Sequence, residues 1–234
     1  MLVQAGTPVQ MEPWIHDVQA LLYVWYQGQE LGDAAASVLM GKFNPSGRLP
    51  MTFPRSIQDC PAYSSFPGEK GVSEYSEGIH VGYKWWDLMD IEPLCPLGFG
   101  LSYNSFSVSA EALSQTELRE GTLIGLPVRV RNTGGLSLAG RETVIAWASL
   151  AKPARLIRPI KQICAFAKTK PLLPGEENIT TLELDVKSLG VWDNEKGRWV
   201  VDAGTTFNIL LGTNASNAKP AWVVQIPEEV TWLT

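Results

Sequence analysis

Residues 25–54 read WYQGQELGDAAASVLMGKFNPSGRLPMTFP, and they decide how the first part of the chain folds. The stretch predicts the end of a buried strand, a glycine-rich turn, a short helix and an exit shaped by prolines. Polar residues 27–33 then lie at the carboxyl end of a strand, where open α/β sheets bind their ligands. Gln29 and Glu30 are therefore the candidate residues for the wall of a binding cleft.

The sequence before this stretch completes the α/β pattern. Val18–Tyr26 is almost continuously apolar, which predicts a strand covered on both faces in a parallel sheet. Met1–Val3 resembles the last residues of a neighbouring strand, so we expect a chain cut from a longer protein or from a truncated gene. Asp33 is the predicted N-cap of a helix at 34–40, and Gly41 is its predicted C-terminal stop.

Composition narrows the function classes. The 234 residues are 45% hydrophobic and 18% charged, which suits a packed core rather than disorder. A net charge of -5, with no basic stripe, argues against a nucleic-acid partner. No apolar run approaches the roughly 20 residues that span a bilayer, so no membrane partner is expected. Three cysteines without a CxxC pair and two distant histidines predict neither a metal site nor a cofactor.

Residues 57–101 form a long connection, rich in proline and aromatic residues, that predicts an extended strap. Loops are usually much shorter, so the strap must be held by its own side chains. Trp85 and Trp86 would point to opposite sides of an extended segment and could not form one sugar-stacking platform. The aromatic residues expected to hold the strap are Tyr63, Phe66, Tyr75, Tyr83, Trp85, Trp86 and Phe99.

Residues 102–234 have an all-β pattern of short alternating runs separated by turns. This spacing predicts a sandwich of the immunoglobulin or fibronectin type III sort. The full prediction is an incomplete α/β sandwich domain at 1–56, the strap at 57–101 and the β-sandwich at 102–234. The clearest alternating runs are Leu126–Arg131, Thr143–Ala148, Ile179–Val186 and Phe207–Leu211.

A series of different short motifs lies in a fixed order along nearly the whole chain. They are Gly6-Thr-Pro-Val9, Asn44-Pro-Ser-Gly-Arg-Leu-Pro50, Tyr75-Ser-Glu-Gly-Ile79, Val81-Gly-Tyr-Lys84, Gly98-Phe-Gly-Leu-Ser-Tyr103, Arg131-Asn-Thr-Gly-Gly135 and Trp192-Asp193 through Arg198-Trp199. The ordered set resembles the carboxy-terminal half of glycoside hydrolase family 3, the β-glucosidases and their relatives, in a fungal form.

The resemblance implies a parent enzyme with a barrel, an α/β sandwich and a fibronectin type III-like domain. Its implied reaction is retaining hydrolysis of terminal non-reducing β-D-glucosyl residues, as in cellulose degradation. That chemistry needs two carboxyl groups about 5–5.5 Å apart. In the family the nucleophile is a barrel aspartate and the acid/base is a glutamate upstream of the position of Met1. The resemblance therefore assigns no catalytic residue to this chain, and we expect it to be inactive alone. Its implied partners are β-glucosides or cello-oligosaccharides and the missing amino-terminal domains.

Three carboxylates of this chain are alternative candidates for a catalytic role. Glu30 is interpreted as a residue that bonds backbone N–H groups or caps the following helix. Glu77 is expected to form an ion pair with Lys84 or Arg48. Glu12, just before a proline, is expected to be solvated. An autonomous enzyme would need Glu30 and Glu77 within about 6 Å of each other.

Two further hypotheses concern the parent's surroundings and a rival function. Asn178 and Asn214 begin N-glycosylation patterns, which fit a secreted parent, although the start of this chain has no signal peptide. The rival function is a carbohydrate- or protein-binding β-sandwich module. An exposed line of aromatic side chains on one sandwich face would favour that rival.

Overall fold

The computed structural model describes residues 1–233, which form two compact units. The amino-terminal unit comprises residues 1–101, and the carboxy-terminal unit begins at Ser102. The first unit mixes short strands with short helices, whereas the second is built almost entirely of strands. This order confirms the predicted fold class, an α/β part followed by an all-β sandwich.

The amino-terminal unit contains one short parallel pair of strands. Its regular elements are β1 (Leu2–Val3), β2 (Leu22–Tyr23), α1 (Leu31–Leu39), α2 (Tyr83–Met89) and 3-10 turns at Ile15–Asp17, Ile57–Asp59 and Pro61–Ser64. Leu2 lies opposite Leu22, as a parallel sheet predicts. The prediction of a strand over residues 18–26 is wrong in length, since the observed strand covers only Leu22–Tyr23. A strand extends only as far as its partner does. Trp25, with a φ of 57°, then turns the chain out of the extended conformation.

Helix α1 begins earlier than predicted. Glu30 is its N-cap, so Asp33 lies in the first turn and the assignment of Asp33 as N-cap is wrong. A carboxylate in the first turn still suits the positive end of the helix dipole. Gly41 ends the helix as predicted: its φ is 69°, and its N–H donates to the Val38 carbonyl at 2.9 Å. The Lys42 N–H donates to the Ser37 carbonyl, which completes a Schellman motif.

The strap is not extended throughout, because residues 83–89 form α2. Tyr83 and Trp86 are buried one helical turn apart, which confirms that these two rings help to hold the segment. The indole N–H of Trp85 donates to the Asp59 carbonyl at 3.0 Å. The prediction that Trp85 and Trp86 point to opposite sides of an extended segment is therefore wrong. The two rings diverge because they lie next to each other on a helix.

The middle of the strap differs from the prediction in another way. Phe66 and Tyr75 are 79% and 83% exposed, so they do not hold it down. The carboxyl end of the strap is held instead: the Leu49 N–H donates to the Phe99 carbonyl, and Phe53 exchanges backbone hydrogen bonds with Cys95. Backbone pairing with residues 49–53 therefore fastens the end of the strap.

The carboxy-terminal unit is a set of antiparallel sheets. Its strands are β3 (Phe106–Ala110), β4 (Leu123–Asn132), β5 (Thr143–Leu150), β6 (Gln162–Lys168), β7 (Glu177–Asp185), β8 (Val191–Asp193), β9 (Arg198–Val201), β10 (Thr206–Gly212), β11 (Lys219–Gln225) and β12 (Val230–Trp232). A four-stranded sheet has the order β11-β10-β5-β6, and a three-stranded sheet has the order β3-β4-β7. Strands β12, β9 and β8 form a third, smaller sheet.

One apolar core fills the carboxy-terminal unit. Along β4 every second residue is buried, from Ile124 through Leu126 to Val130, while Leu123 and Gly125 face outward. The alternation follows from the two-residue period of a strand with one covered face. Cys164 also lies in this core, and burial raises the pKa of its thiol to about 12. Cys60, Cys95 and Cys164 are free thiols.

Both edge strands of the four-stranded sheet are interrupted. Where β6 pairs with β5, Ala146 faces Ala165 but Trp147 faces Ile163, so Cys164 is an extra residue on the edge. Where β11 pairs with β10, the register likewise skips Ala221. These are β-bulges, which bend a strand and increase its local twist.

We expect Leu126→Ala to lower the free energy of unfolding of the carboxy-terminal unit by about 2–5 kcal/mol. The side chain is fully buried, so its removal leaves a cavity in the core. The matched control is Leu123→Ala on the same strand, where the side chain is 53% exposed, and its effect should stay within about 0.5 kcal/mol. Urea denaturation followed by tryptophan fluorescence measures both, and equal losses for the two variants would contradict the assignment of the core face.

Candidate functional site

The loops that follow β1 and β2 lie side by side. The Tyr23 hydroxyl, at the end of β2, donates to the carbonyl of Thr7 in the first loop. The Tyr26 ring packs on Gly6, where an added Cβ would come within 2.5 Å of a ring carbon. The glycine is therefore needed for this close approach. Two neighbouring strand-end loops are the arrangement that the sequence predicted for a ligand-binding edge.

An aromatic cluster supports these loops from below. Tyr23, Trp25 and Phe53 meet edge to face, with ring centroids separated by 4.9 Å, 5.1 Å and 6.0 Å. Phe53 is almost fully buried, and it belongs to the backbone-paired segment that follows α1. The cluster thus ties the start of the second loop to the exit from the helix, which gives the loop a fixed base.

Gln29 and Glu30 lie exposed at the tip of the second loop. The Gln29 side-chain amide donates to Glu30 Oε1 at 3.4 Å, and the Glu30 carbonyl accepts the Ala34 N–H at 3.0 Å. The Glu30 carboxylate makes no capping bond to α1, so only its backbone begins the helix. An amide and a carboxylate side by side can accept and donate hydrogen bonds to a polar ligand, such as a sugar hydroxyl.

Glu12 is not solvated as expected. Both of its carboxylate oxygens lie 3.2 Å from Nη1 of Arg55, and His16 Nε2 is 3.7 Å away. Arg55 also approaches Glu92 at 3.8 Å. The chain therefore uses Glu12 to hold residue 55, which directly follows the proline-shaped exit.

Glu77 lies in the strap, where its carbonyl accepts the His80 N–H at 3.0 Å. The ion pair expected for its carboxylate, with Lys84 or Arg48, stays a prediction. That Glu77 and Glu30 do not form a catalytic pair stays a prediction as well.

Metal and membrane features can be described briefly. In the described 233 residues no group of three or more His, Cys, Asp or Glu side chains is placed to hold a metal ion. None of the helices there has the length and apolar character needed to cross a bilayer.

Three tryptophans form a row across the small sheet. Trp199 meets Trp192 edge to face at 5.9 Å and stacks on Trp232 at 6.3 Å. Trp192 is 44% exposed, and the other two are half-buried. The rings therefore direct much of their surface toward each other. They do not present a flat platform of parallel faces.

Sequence reasoning missed a polar cluster in the sandwich. Asp193 is almost fully buried, and its Oδ2 accepts a hydrogen bond from Arg155 Nη2 at 2.6 Å. The guanidinium also reaches Asp202 at 3.2 Å, and its bond to Asp193 holds the pKa of that carboxyl below the usual range. The Trp192-Asp193 motif marked this hairpin, but no signal linked it to an arginine 38 positions away.

The two glycosylation candidates occupy different settings. Asn178 lies half-buried on β7, where its Oδ1 accepts the Thr180 hydroxyl at 2.9 Å. Asn214 lies in the loop between β10 and β11, where its Oδ1 accepts the N–H groups of Ser216 and Asn217.

Family models match both parts of the chain. The model of the glycosyl hydrolase family 3 C-terminal domain matches residues 1–83, and the model of a fibronectin type III-like domain matches residues 142–215. The chain belongs to glycosyl hydrolase family 3. The second match also confirms the fibronectin type III-like character predicted for the sandwich.

Individual relatives agree with this family 3 assignment. The chain is 37% identical over 233 residues to the probable beta-glucosidase K of Emericella nidulans, covering 99% of this chain and 26% of that protein. A beta-glucosidase from Kluyveromyces marxianus, crystallised with glucose, is 34% identical with a TM-score of 0.89 over 99% of this chain and 27% of its own. Beta-glucosidase 3B from Thermotoga neapolitana is 35% identical with a TM-score of 0.85, covering 100% of this chain and 32% of its own. The family 3 chain thus spans about a quarter of the length of the curated relatives it matches.

We expect Gly41→Ala to reduce the local stability of α1 by about 1 kcal/mol, because a side chain is strained at positive φ. Gly32→Ala is the matched control: Gly32 lies inside α1, and an added Cβ there meets open space. That change should stabilise the helix by about 0.5 kcal/mol. Amide hydrogen exchange over residues 34–42 measures both effects, and protection that rises in both variants would show that Gly41 does not end the helix.

Proposed function

We propose that this chain is the carboxy-terminal portion of a β-glucosidase that hydrolyses terminal non-reducing β-D-glucosyl residues with retention. One observation carries the proposal: almost every residue aligns with proteins named β-glucosidases, at 37% identity to one relative and a TM-score of 0.89 to another. The expected substrates are β-glucosides and cello-oligosaccharides, as in cellulose breakdown, and no cofactor is required by this chemistry.

The chain's own carboxylates support a role without catalysis. A retaining enzyme needs a nucleophile and an acid/base about 5–5.5 Å apart, with opposite protonation states. Glu12 is held by Arg55, and Glu30 is bonded by the Gln29 amide. We infer that both catalytic groups come from the part of the relatives that lies outside the match. The 234 residues alone should then be inactive.

The strand-end loops are the proposed contribution to the substrate cleft. Gln29 and Glu30 stand exposed at the tip of the second loop, above the aromatic base formed by Tyr23, Trp25 and Phe53. A rigid base keeps polar tips in place, as ligand recognition requires. We propose that these two residues line the cleft wall of the assembled enzyme.

The remaining assignments belong to the same proposal. Residues 1–56 would complete an α/β sandwich domain, 57–101 would strap it, and 102–234 would form the fibronectin type III-like domain. The parent would be secreted, and Asn178 and Asn214 would be its glycan acceptors. The exposed apolar residues of the first segment favour its assembly with further parts of a parent protein, since they include Tyr26, Leu39, Met40 and Phe43.

The deciding experiment measures turnover of a chromogenic aryl β-glucoside. The purified 234-residue chain should show none. A chimera that joins it to the preceding part of the Kluyveromyces marxianus beta-glucosidase should be active. In the chimera, Glu30→Gln should reduce kcat/KM by about tenfold if the residue contacts substrate. Glu77→Gln is the matched control and should leave the rate unchanged.

Two results would contradict the proposal in different ways. Turnover by the chain alone that is lost in Glu30→Gln or Glu77→Gln would show that it is an autonomous enzyme. An active chimera that is indifferent to Glu30→Gln would leave the family role intact and remove Glu30 from the cleft wall.

A carbohydrate-binding module is the second candidate, and the exposed ring of Trp192 at one end of the tryptophan row is the observation that favours it. Under this reading the chain alone should be retained on cellulose, and Trp192→Ala should abolish the retention, because that ring is the most exposed of the three. Phe166→Ala on β6 is the control for general stickiness, since Phe166 is also exposed. Passage of the unaltered chain through the column would reject this candidate.

A further inference from the structure

The loop between β5 and β6, residues 151–161, is held by side chains rather than by its backbone. Its first N–H, from Ala151, donates to the Thr206 carbonyl, but within the described chain residues 152–160 make no backbone-to-backbone hydrogen bond. Apolar burial holds the loop only in part: Pro159 is buried, but Ile157 is 79% exposed and Ile160 is 54% exposed. A loop with such weak local support stays ordered only if specific side chains fasten it.

Arg155 is the first fastening. Its Nη2 reaches Asp193 Oδ2 at 2.6 Å and Asp202 Oδ1 at 3.2 Å. The other oxygen of Asp193 accepts the N–H groups of Glu195 and Lys196 at 2.9 Å and 3.2 Å. Asp193 is only 1% exposed, so this carboxylate is buried with all its bonds directed at the loop and at the turn between β8 and β9.

Arg158 is the second fastening. Its guanidinium donates to the backbone carbonyls of Leu189 and Val200, and its Cζ lies 5.3 Å from the centre of the Phe207 ring. Burial lowers the pKa of this arginine, and the charge of Asp202 opposes that effect. One buried atom on each side, Arg158 Nε and Asp202 Oδ2, has no hydrogen-bond partner among the described residues.

We propose that these contacts form an acid-sensitive latch, which releases residues 151–161 locally while the sandwich remains folded. The latch consists of Arg155 and Arg158 on the loop, Asp193 on β8 and Asp202 directly after β9. One latch contact reaches the apolar core, since the Cζ of Arg158 lies 5.3 Å from the ring centre of the core residue Phe207. Opening would break the charged contacts and uncover this one ring, while the other core side chains stay packed against each other.

The direction of the pH effect follows from the carboxylates. The bond from Arg155 lowers the pKa of Asp193, so the latch is at full strength above the ordinary aspartate pKa and is lost as the pH falls through the lowered value. The unit has no histidine, so the only histidines of the chain do not contribute near neutrality. The loop itself also carries Lys152 and Lys161. Further charged groups near the latch are Arg198, opposite Asp193 on β9, Glu195 and Lys196 in the turn, and Glu229, which pairs with Lys196.

The test uses the full chain with isoleucine methyl groups labelled for NMR, titrated from about pH 7 to about pH 2, a range that covers the carboxyl groups. We expect the methyl signals of Ile157 and Ile160 to shift together, with a midpoint below the usual aspartate range. The signals of the core residues Ile124 and Ile209 should stay in place over the same transition.

Variants assign the transition to the latch. In Arg155→Gln the loop signals should already lie at their acid positions at neutral pH, and thermolysin should cleave beside Leu156 or Ile157 about tenfold faster. Asp193→Asn should behave in the same way. Arg129→Gln is the matched control, because Arg129 also binds two carboxylates, Glu111 and Glu177, but lies on β4 and not in residues 151–161.

Three outcomes would overturn the proposal. The first is a set of loop signals that moves only when the core signals collapse. The second is an Arg155→Gln chain that titrates like the unaltered one, a comparison that remains available if Asp193→Asn fails to fold. The third is an Arg129→Gln chain whose loop opens as readily as that of Arg155→Gln.

Discussion

Core-facing side chains alternate along β4, β7 and β10, and two facing sheets hide all of them from water at once. The rest of the carboxy-terminal unit depends on this constraint. It fixes the register of the strands, since a slip of one residue would turn Leu126 and Leu182 outward. It does not constrain the sequences of the loops. The latch at residues 151–161 and the turn that carries Asn214 both lie in such loops. The amino-terminal unit has no comparable core, and it relies on Phe53 and on backbone pairing with the end of the strap.

Much of the sandwich could be predicted because its signal is local. The alternation in Leu126–Arg131 is visible within a few residues, and β4 contains that run. The run Thr143–Ala148 lies in β5 as predicted, but its residues 144–148 are all buried and do not alternate. The strands at 162–168 and 219–225 were not predicted, since each carries a bulge that breaks the two-residue period. Arg155 and Asp193 could not be paired from the sequence either. Their contact depends on which hairpin the loop meets, and only the assembled sheets determine that.

The amino-terminal unit shows a different limit. The order of strand, glycine-rich turn and helix was readable, and it placed Gln29 and Glu30 correctly on a strand-end loop. The length of β2 was not readable, because an apolar run becomes a strand only beside a partner. The prolines and glycines around residues 83–89 predict an extended segment, whereas helical spacing is what buries Tyr83 and Trp86. What Gln29 and Glu30 contact depends on groups distant in sequence, which no local pattern specifies.

The bulges at Cys164 and Ala221 affect whether copies of the domain can associate through the edges of their sheets. A sheet grows sideways into a fibre when its outermost strands offer regular rows of unpaired N–H and C=O groups. Here the outermost strands on both sides of the four-stranded sheet are kinked, and Pro220 also removes a donor from one of them. The four-stranded sheet is thereby closed to lateral extension at either side. A concentrated solution of these domains should for that reason resist assembly into cross-β material through this sheet.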